Sequence, residues 1–219
     1  MLTIAIGDIH GCYGKLVDLL DQCRAFAGGR SHRFIFIGDY IDRGPHSRAV
    51  IELLLELERT CPIAPVFLMG NHEDMIVSAT NDTAAKRHWL ANGGGATLES
   101  YLDTSGLDLL TAHVAWLGAR PLSFDDGRRL YVHAGIDPAR PLAAQTRNDL
   151  LWIREPFLYF TGDLGRLVVH GHTPTMDGRP DVRPNRVNID TGAVFGGPLT
   201  AAVFSAEKRE PIAFLQSRL

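Results

Sequence analysis

Phe34-Ile35-Phe36-Ile37, followed by Gly38-Asp39-Tyr40-Ile41-Asp42-Arg43-Gly44, is the stretch that decides the fold. Four consecutive apolar residues closed by glycine read as a strand buried on both faces. Two acids and an arginine follow, and a helical pattern comes after them. The polar cluster therefore sits just past a strand's carboxyl end, where open α/β sheets place their ligands. Alone, it fits either a polar turn with a local ion pair or a metal carboxylate, a supporting acid and a phosphate-binding arginine. The way the other strands end separates these readings.

Toward the N-terminus, Leu2 to Ile6 is an apolar run ended by Gly7, and Asp8-Ile9-His10-Gly11 follows. Residues two apart in extended chain face the same side, so Asp8 and His10 can address one object. Lys15 to Phe26 is an amphipathic helix, with Leu16, Leu19, Leu20 and Cys23 on one face. Gly28-Gly29 ends it. Pro45 opens a second helix through Val50, Ile51, Leu54, Leu55 and Leu57, and Pro62 and Pro65 close it. Val66-Phe67-Leu68-Met69 is a third strand, leading directly into Gly70-Asn71-His72-Glu73-Asp74. Strand, polar cluster and helix thus recur three times, as in α/β chains with right-handed crossovers.

Residues 74–119 read as a mainly helical cap. Met75 to Ala79 continues from the cluster, and His88-Trp89-Leu90-Ala91-Asn92 ends a helix before Gly93-Gly94-Gly95. Leu107, Leu110, Val114 and Leu117 mark another, with Ser105 and Asp108 resembling a capping pair. Beyond the cap the pattern turns to strands. Pro121 to Phe124 and Arg129 to Val132 flank the turn Asp125-Asp126-Gly127, and His133-Ala134-Gly135 ends the second strand. Asn148 to Arg154 is a short helix or turn. Leu167 to Val169 runs into His170-Gly171-His172-Thr173, and Asp177 to Pro180 is a turn. Val187 to Ile189, Leu199 to Phe204 and Pro211 to Leu215 complete the strands. No Ser-, Gly- or Pro-rich linker divides the chain. The expectation is α/β with mixed α+β character: one domain over residues 1–219, two packed mixed sheets forming a sandwich, and helices outside.

Composition narrows the function. At 219 residues, 45% of them hydrophobic, the chain can fill a sizeable core. A net charge of -3 with no basic run argues against a broad nucleic-acid-binding face. Cys12, Cys23 and Cys61 have no CxxC spacing, which points to a reducing compartment. Met1 to Asp8 reads as a strand rather than a signal peptide, and no apolar run is long enough for a bilayer. The expectation is a cytoplasmic monomer without membrane or nucleic-acid partners.

Five strand ends carry polar residues of one kind: Asp8 and His10; Asp39, Asp42 and Arg43; Asn71 and His72; His133; His172. Three or four imidazoles, two or three carboxylates and an amide are too many ligands for one zinc, and they fit two ions sharing a carboxylate. Nitrogen and oxygen ligands without thiolate suit Mn, Fe(II) or Zn better than Mg or Ca alone. Two divalent ions about 3.5–4 Å apart activate water and clamp both oxygens of an in-line displacement, chemistry suited to phosphoester hydrolysis.

In order, the motifs are Gly-Asp-Ile-His-Gly (7–11), Gly-Asp-Tyr-Ile-Asp-Arg-Gly (38–44), Gly-Asn-His-Glu (70–73), His-Ala-Gly (133–135) and His-Gly-His-Thr (170–173). Together they resemble the phosphoprotein phosphatase family of calcineurin-like metallophosphoesterases. The tail from Asn188 to Phe195 resembles bacterial members, and His88 to Gly94 resembles phage ones. The resemblance implies a dimetal protein phosphatase in which water activated between the metals attacks phosphorus in line. It implies Asp8 and His10 as ligands of one ion, Asp39 as the bridge, and Asn71, His133 and His172 as ligands of the other. His72 would be the general acid, with Asp42 orienting it; a carboxylate neighbour favours the protonated ring such an acid needs. Arg43 and Arg154, the latter in Leu-Trp-Ile-Arg-Glu (151–155), would clamp phosphate through their planar forks. Mn is the first expectation for the metal, with Fe(II) or Zn as alternatives.

His170 is an addition to the pattern and reads as a neighbour of the cleft rather than a ligand. His32, His46, His88 and His113 read as surface or packing residues, Glu73 as structural, and Asp190 as support for the loop under the site. The substrate expected from the resemblance is a phosphorylated protein or a small phosphoester. Symmetrical dinucleoside polyphosphate hydrolases resemble the same family and supply the competing enzyme reading. A non-catalytic scaffold, which would have lost ligands, is the third possibility, and every expected ligand is present.

Overall fold

The computed structural model describes residues 1–102 and 106–218, apart from the side chain of Leu107. β1 (Leu2–Ile6), α1 (Tyr13–Ala27), β2 (His32–Phe36), α2 (Ser47–Thr60) and β3 (Val66–Phe67) alternate as the sequence predicts. The helical stretch follows as α3 (Asn71–Ala79), α4 (Thr83–Trp89), α5 (Gly95–Glu99) and α6 (Gly106–Gly118). After it come β4 (Ser123–Asp125), β5 (Arg129–Val132), α7 (Arg147–Trp152), β6 (Leu167–His170), β7 (Asp181–Val182), β8 (Arg186–Asn188), β9 (Thr200–Ser205) and β10 (Ala213–Gln216).

Two five-stranded mixed sheets result, in the orders β10-β9-β1-β2-β3 and β4-β5-β6-β8-β7. β1, β2 and β3 are mutually parallel in the first, as are β5, β6 and β8 in the second. Side-chain alternation decides what each face meets. Ile4, Ile6, Phe34 and Phe36 join a core with Leu16, Leu19 and Leu20 of α1 and Val50, Ile51 and Leu54 of α2. Ala5, Ile35 and Ile37 point the other way, into a core shared with Tyr131, Val169 and Val187 of the second sheet. The outer face of that sheet, Leu130, Val132 and Val168, is covered by Phe157, Leu150 and Leu164. Burying each of the larger aliphatic or aromatic side chains contributes roughly 1.5–3 kcal/mol. Met75, Ile76, Trp89 and Leu117 of the helical stretch pack into the same core as α1 and α2. Among the described residues, no helix is long and apolar enough to cross a membrane.

The structure sharpens three local readings. α3 runs from Asn71 through the cluster into Met75 to Ala79, because Glu73 Oε2 accepts from the Gly70 N–H at 2.8 Å and caps the helix there. Gly93 ends its helix as read: the chain leaves helical geometry there at φ 102, kinks, and α5 begins at Gly95. Glycine is needed beside it as well, since a Cβ on Gly94 would collide with the Trp89 indole. β7, directly after the expected turn, pairs with β8 where the sequence carries no strand signal; two residues are too few to show alternation. The Ser105–Asp108 pair lies outside the described residues.

The sheets approach closely at Gly7, where a Cβ would meet the Ile189 carbonyl oxygen. Gly7→Ala should therefore destabilise the fold by roughly 1–3 kcal/mol through overpacking. Urea unfolding measures this, and an unchanged or higher midpoint would refute the close contact.

Candidate metal centre

Parallel strands bring their carboxyl ends to one edge, and the two sheets present those edges side by side. Asp8 and His10 follow β1, Asp39 to Arg43 follow β2, and Asn71 and His72 open α3 just beyond β3. His133 follows β5 and His172 follows β6. All of these residues converge, and Arg154 joins them from the turn after α7, its Nε 3.4 Å from His172 Nε2.

Asp39 lies at the centre. Its Oδ2 is 3.3 Å from His10 Nε2, and its Oδ1 is 3.5 Å from His133 Nε2 and accepts the His72 backbone N–H at 3.1 Å. It belongs to two groups whose donor atoms can hold a cation: His10, Asp39 and His72, and Asp39, His133 and His172. Asn71 Oδ1 completes the second group, 2.8 Å from His133 Nε2 and 3.0 Å from His172 Nδ1. Carbonyl oxygens fix the tautomers of two rings. His10 Nδ1 donates to Ile41 O at 2.8 Å and His133 Nδ1 to Ile37 O at 3.1 Å, so each Nε2 lone pair faces inward.

Asp8 stands slightly apart from these groups. Its Oδ2 accepts the His172 N–H at 3.0 Å, while Oδ1 is buried and has no partner among the described residues. An orphaned carboxylate oxygen and inward imidazole lone pairs around a shared aspartate are a donor set that fits divalent cations. Electrostatics agree. Burial pushes Asp8 well up, with Asp190 and Asp39 adding repulsion. Burial likewise raises Asp190 to about 6 and, with Asp39, Glu73 to about 8. Burial also pushes Asp39 upward, but His133, His72 and His10 outweigh it and hold the group well below its ordinary value. Burial, reinforced by His133, lowers His172 to about 3, so it is neutral, as a ligand must be.

His72 Nδ1 donates to Asp42 Oδ2 at 2.7 Å. That carboxylate also accepts from Trp89 Nε1 at 2.8 and 3.0 Å and from Thr97 Oγ1 at 2.6 Å. Sequence reasoning singled out the Trp89 stretch without giving it this task; Thr97 carries no motif that could have revealed it. Glu73 is structural, as read: it accepts from the N–H groups of Asp39, Tyr40 and Gly70 at 2.7, 2.9 and 2.8 Å, tying the loop after β2 to the start of α3. Asp190 accepts the Gly192 N–H within the loop below the site. His170 is buried against Phe157 and belongs to neither group. His113, read as surface or packing, is buried and bonded to Tyr101.

Backbone conformation marks the same residues. Among the described residues, the non-glycine positions with positive φ are His10, Asp39, Asp42, Arg43 and His172. Each costs about 1–3 kcal/mol and persists because the surroundings enforce it. A cleft of about 150 Å³ opens over the centre, lined by Asp39, Arg43, Asn71, Trp152, Arg154 and His172 among others.

The calcineurin-like phosphoesterase model matches residues 1–196. The chain belongs to that family. It is therefore a metallophosphoesterase, of a family of phosphoester hydrolases built on a dinuclear metal centre. The phosphoesterase is 34% identical to serine/threonine-protein phosphatase 1 of Salmonella typhimurium, covering 90% of this chain and 89% of the relative. It is also 35% identical to the symmetrical bis(5'-nucleosyl)-tetraphosphatase of Dechloromonas aromatica, covering 92% of each. Among solved structures, a Saccharomyces cerevisiae protein serine/threonine phosphatase with similarity to human PP5 superposes at TM-score 0.69 and 17% identity. That match covers 100% of this chain and 80% of the other, and it shows the shared two-sheet fold.

Metal-free phosphoesterase should lose stability between about pH 6.5 and 8.5. Glu73, Asp8 and His10 all have raised values in the fold, so the folded state holds more protons than the unfolded state across this window, and stability falls as pH rises. The lowered histidines, His133, His170 and His172, oppose this only below their ordinary 6.5. Melting temperatures of chelator-treated protein across this range test it; a flat or rising profile contradicts it.

Proposed function

We propose that this phosphoesterase is a dimetal serine/threonine protein phosphatase. The observation that carries the reading is Asp39, common to both cation-holding groups and overlooked by Arg43 and Arg154. Asp8, His10 and Asp39 would hold one ion, and Asp39, Asn71, His133 and His172 the other. Mn is the metal we favour, with Fe(II) and Zn as alternatives. Divalent ions bound there supply Lewis acidity that activates water and neutralises charge on phosphorus.

The chain's own residues do the rest. Arg43 and Arg154 bind the non-bridging phosphate oxygens and stabilise the charge spread across them in the transition state. His72 delivers a proton to the leaving oxygen, and Asp42, fixed by Trp89 and Thr97, holds its ring in position. Although His72 also falls within the first group, its Nδ1 is committed to Asp42, which supports the acid role. The protein-phosphatase assignment draws support from the Salmonella relative. The Dechloromonas relative favours a second reading, symmetrical dinucleoside polyphosphate hydrolysis. Rates of the Mn-supplemented protein on phosphopeptides and on diadenosine tetraphosphate decide between them; faster turnover of the dinucleotide reverses the assignment.

Substitutions separate the roles. Asp39→Asn should lose metal from both positions and lower activity by at least about 10²-fold, read by metal analysis and turnover. His72→Asn should keep nearly full metal content and lower kcat by roughly 10²–10⁴-fold on poor leaving groups but much less on good ones. Equal losses on both would remove His72 from the acid role. Arg43→Ala should depress kcat/KM by about 10²-fold, as loss of one charge-stabilising donor does; unchanged kinetics would exclude it.

A further inference from the structure

We propose that the groove beside the cleft is a leaving-group subsite that selects phosphopeptides with an apolar residue next to the phosphorylated one and disfavours polyphosphate leaving groups. The proposal rests on the reading of the cleft as a phosphomonoesterase site. The groove has a volume of about 510 Å³ and shares Arg154, Pro174 and Phe195 with the cleft, so a molecule whose phosphate lies between Arg43 and Arg154 continues into it. Its apolar walls are open. Met176 is 100% exposed and Phe195 66% exposed, although Phe195 also packs under the Arg43 guanidinium, 5.5 Å from ring centre to Cζ. Large apolar side chains left in solvent beside a reaction site are surface that a substrate can cover.

Charge decides what covers it. Arg154 is the one charged residue among the described residues lining the groove, and it also lines the cleft, where the phosphate would engage it. Of the other cations nearby, the exposed Arg179 does not line the groove, and Lys15, Arg183 and Arg186 are committed. Lys15 donates to the carbonyls of Ala193 and Gly197 at 2.8 and 2.6 Å. Arg183 and Arg186, bordering the next depression, each pair with Asp181 at 2.8 Å. Two backbone donors of the groove are also committed, the Gly192 N–H to Asp190 and the Gly197 N–H to Gly192 O. A dinucleoside tetraphosphate leaves as a polyphosphate whose further charges need cations or donors. No cation besides Arg154 lines these walls, and the unpartnered donors among their described side chains are the neutral hydroxyls of Thr173 and Thr175. A peptide leaves as an uncharged hydroxyl side chain, and an apolar neighbour can cover Pro174, Met176 and Phe195.

The test uses the Mn-loaded full-length protein. Its substrates are p-nitrophenyl phosphate, two phosphothreonine peptides differing only in Leu or Glu flanking the phosphorylated residue, and diadenosine tetraphosphate. Partly covering one apolar side chain corresponds to about tenfold in kcat/KM, so the Leu peptide should exceed the Glu peptide by that factor, with the dinucleotide below both peptides. Met176→Lys, a change at a fully exposed position, should bring the two peptides within about twofold and leave p-nitrophenyl phosphate hydrolysis unchanged. Met176→Ala should reduce the preference without reversing it. Equal rates on the two peptides, or a ratio that Met176→Lys does not move, overturn the subsite and leave the phosphatase reading intact. Failure to cleave either peptide or p-nitrophenyl phosphate removes the phosphatase reading itself. Diadenosine tetraphosphate cleaved faster than both peptides overturns the subsite and supports the second reading.

Discussion

A carboxylate buried among other carboxylates must be balanced, and Asp39 is where this molecule meets that constraint. Asp8, Glu73 and Asp190 crowd the same interior, and each is pushed toward its neutral form. Asp39 is the exception because three imidazoles surround it. Much of the nearby architecture serves that arrangement. Glu73 ties the Asp39 loop to α3, so the shared carboxylate and the Asn71 amide move as one piece. Parallel strands deliver the rest, because their ends reach one edge from both sheets.

The helical stretch is more than a lid over hydrophobic surface. Trp89 belongs to the core shared with α1 and α2, yet its indole N–H reaches Asp42. Thr97, on α5, accepts the Asp42 backbone N–H at 2.9 Å and donates to its carboxylate. The kink at Gly93 lets residues eight apart approach one carboxylate, and the Gly93 carbonyl accepts from the Arg43 N–H at 3.1 Å. The geometry of His72 thus depends on side chains far away in sequence that touch neither phosphate nor metal donors.

Much of this was legible before any coordinates. Apolar runs such as Leu130 to Val132 announce strands because both faces are buried, and the two-sheet sandwich follows from where helical periodicity gives way to short runs. The polar clusters announce the site because glycine-flanked acids and histidines recur at equivalent strand ends. Long-range partnerships were not legible. Thr97 meets Asp42 across fifty-five residues and has no local signature. The cap that sets the first residue of α3 rests on a Glu73 contact that residue order alone does not reveal. Exposed apolar side chains such as Phe195 acquire meaning only once the cleft beside them exists.

The five left-handed residues carry a consequence for how the sequence can drift. At ordinary turns, glycine relieves such a conformation at little loss, because the side chain does nothing. Here His10, Asp39, Asp42, Arg43 and His172 hold positive φ while their side chains form the centre. Replacement by glycine would ease the backbone and empty the site in the same step. Under the proposed function, selection for a sturdier fold and selection for catalysis therefore pull in opposite directions at the same five codons. A lineage released from the second demand should lose its chemistry there first while keeping its sandwich.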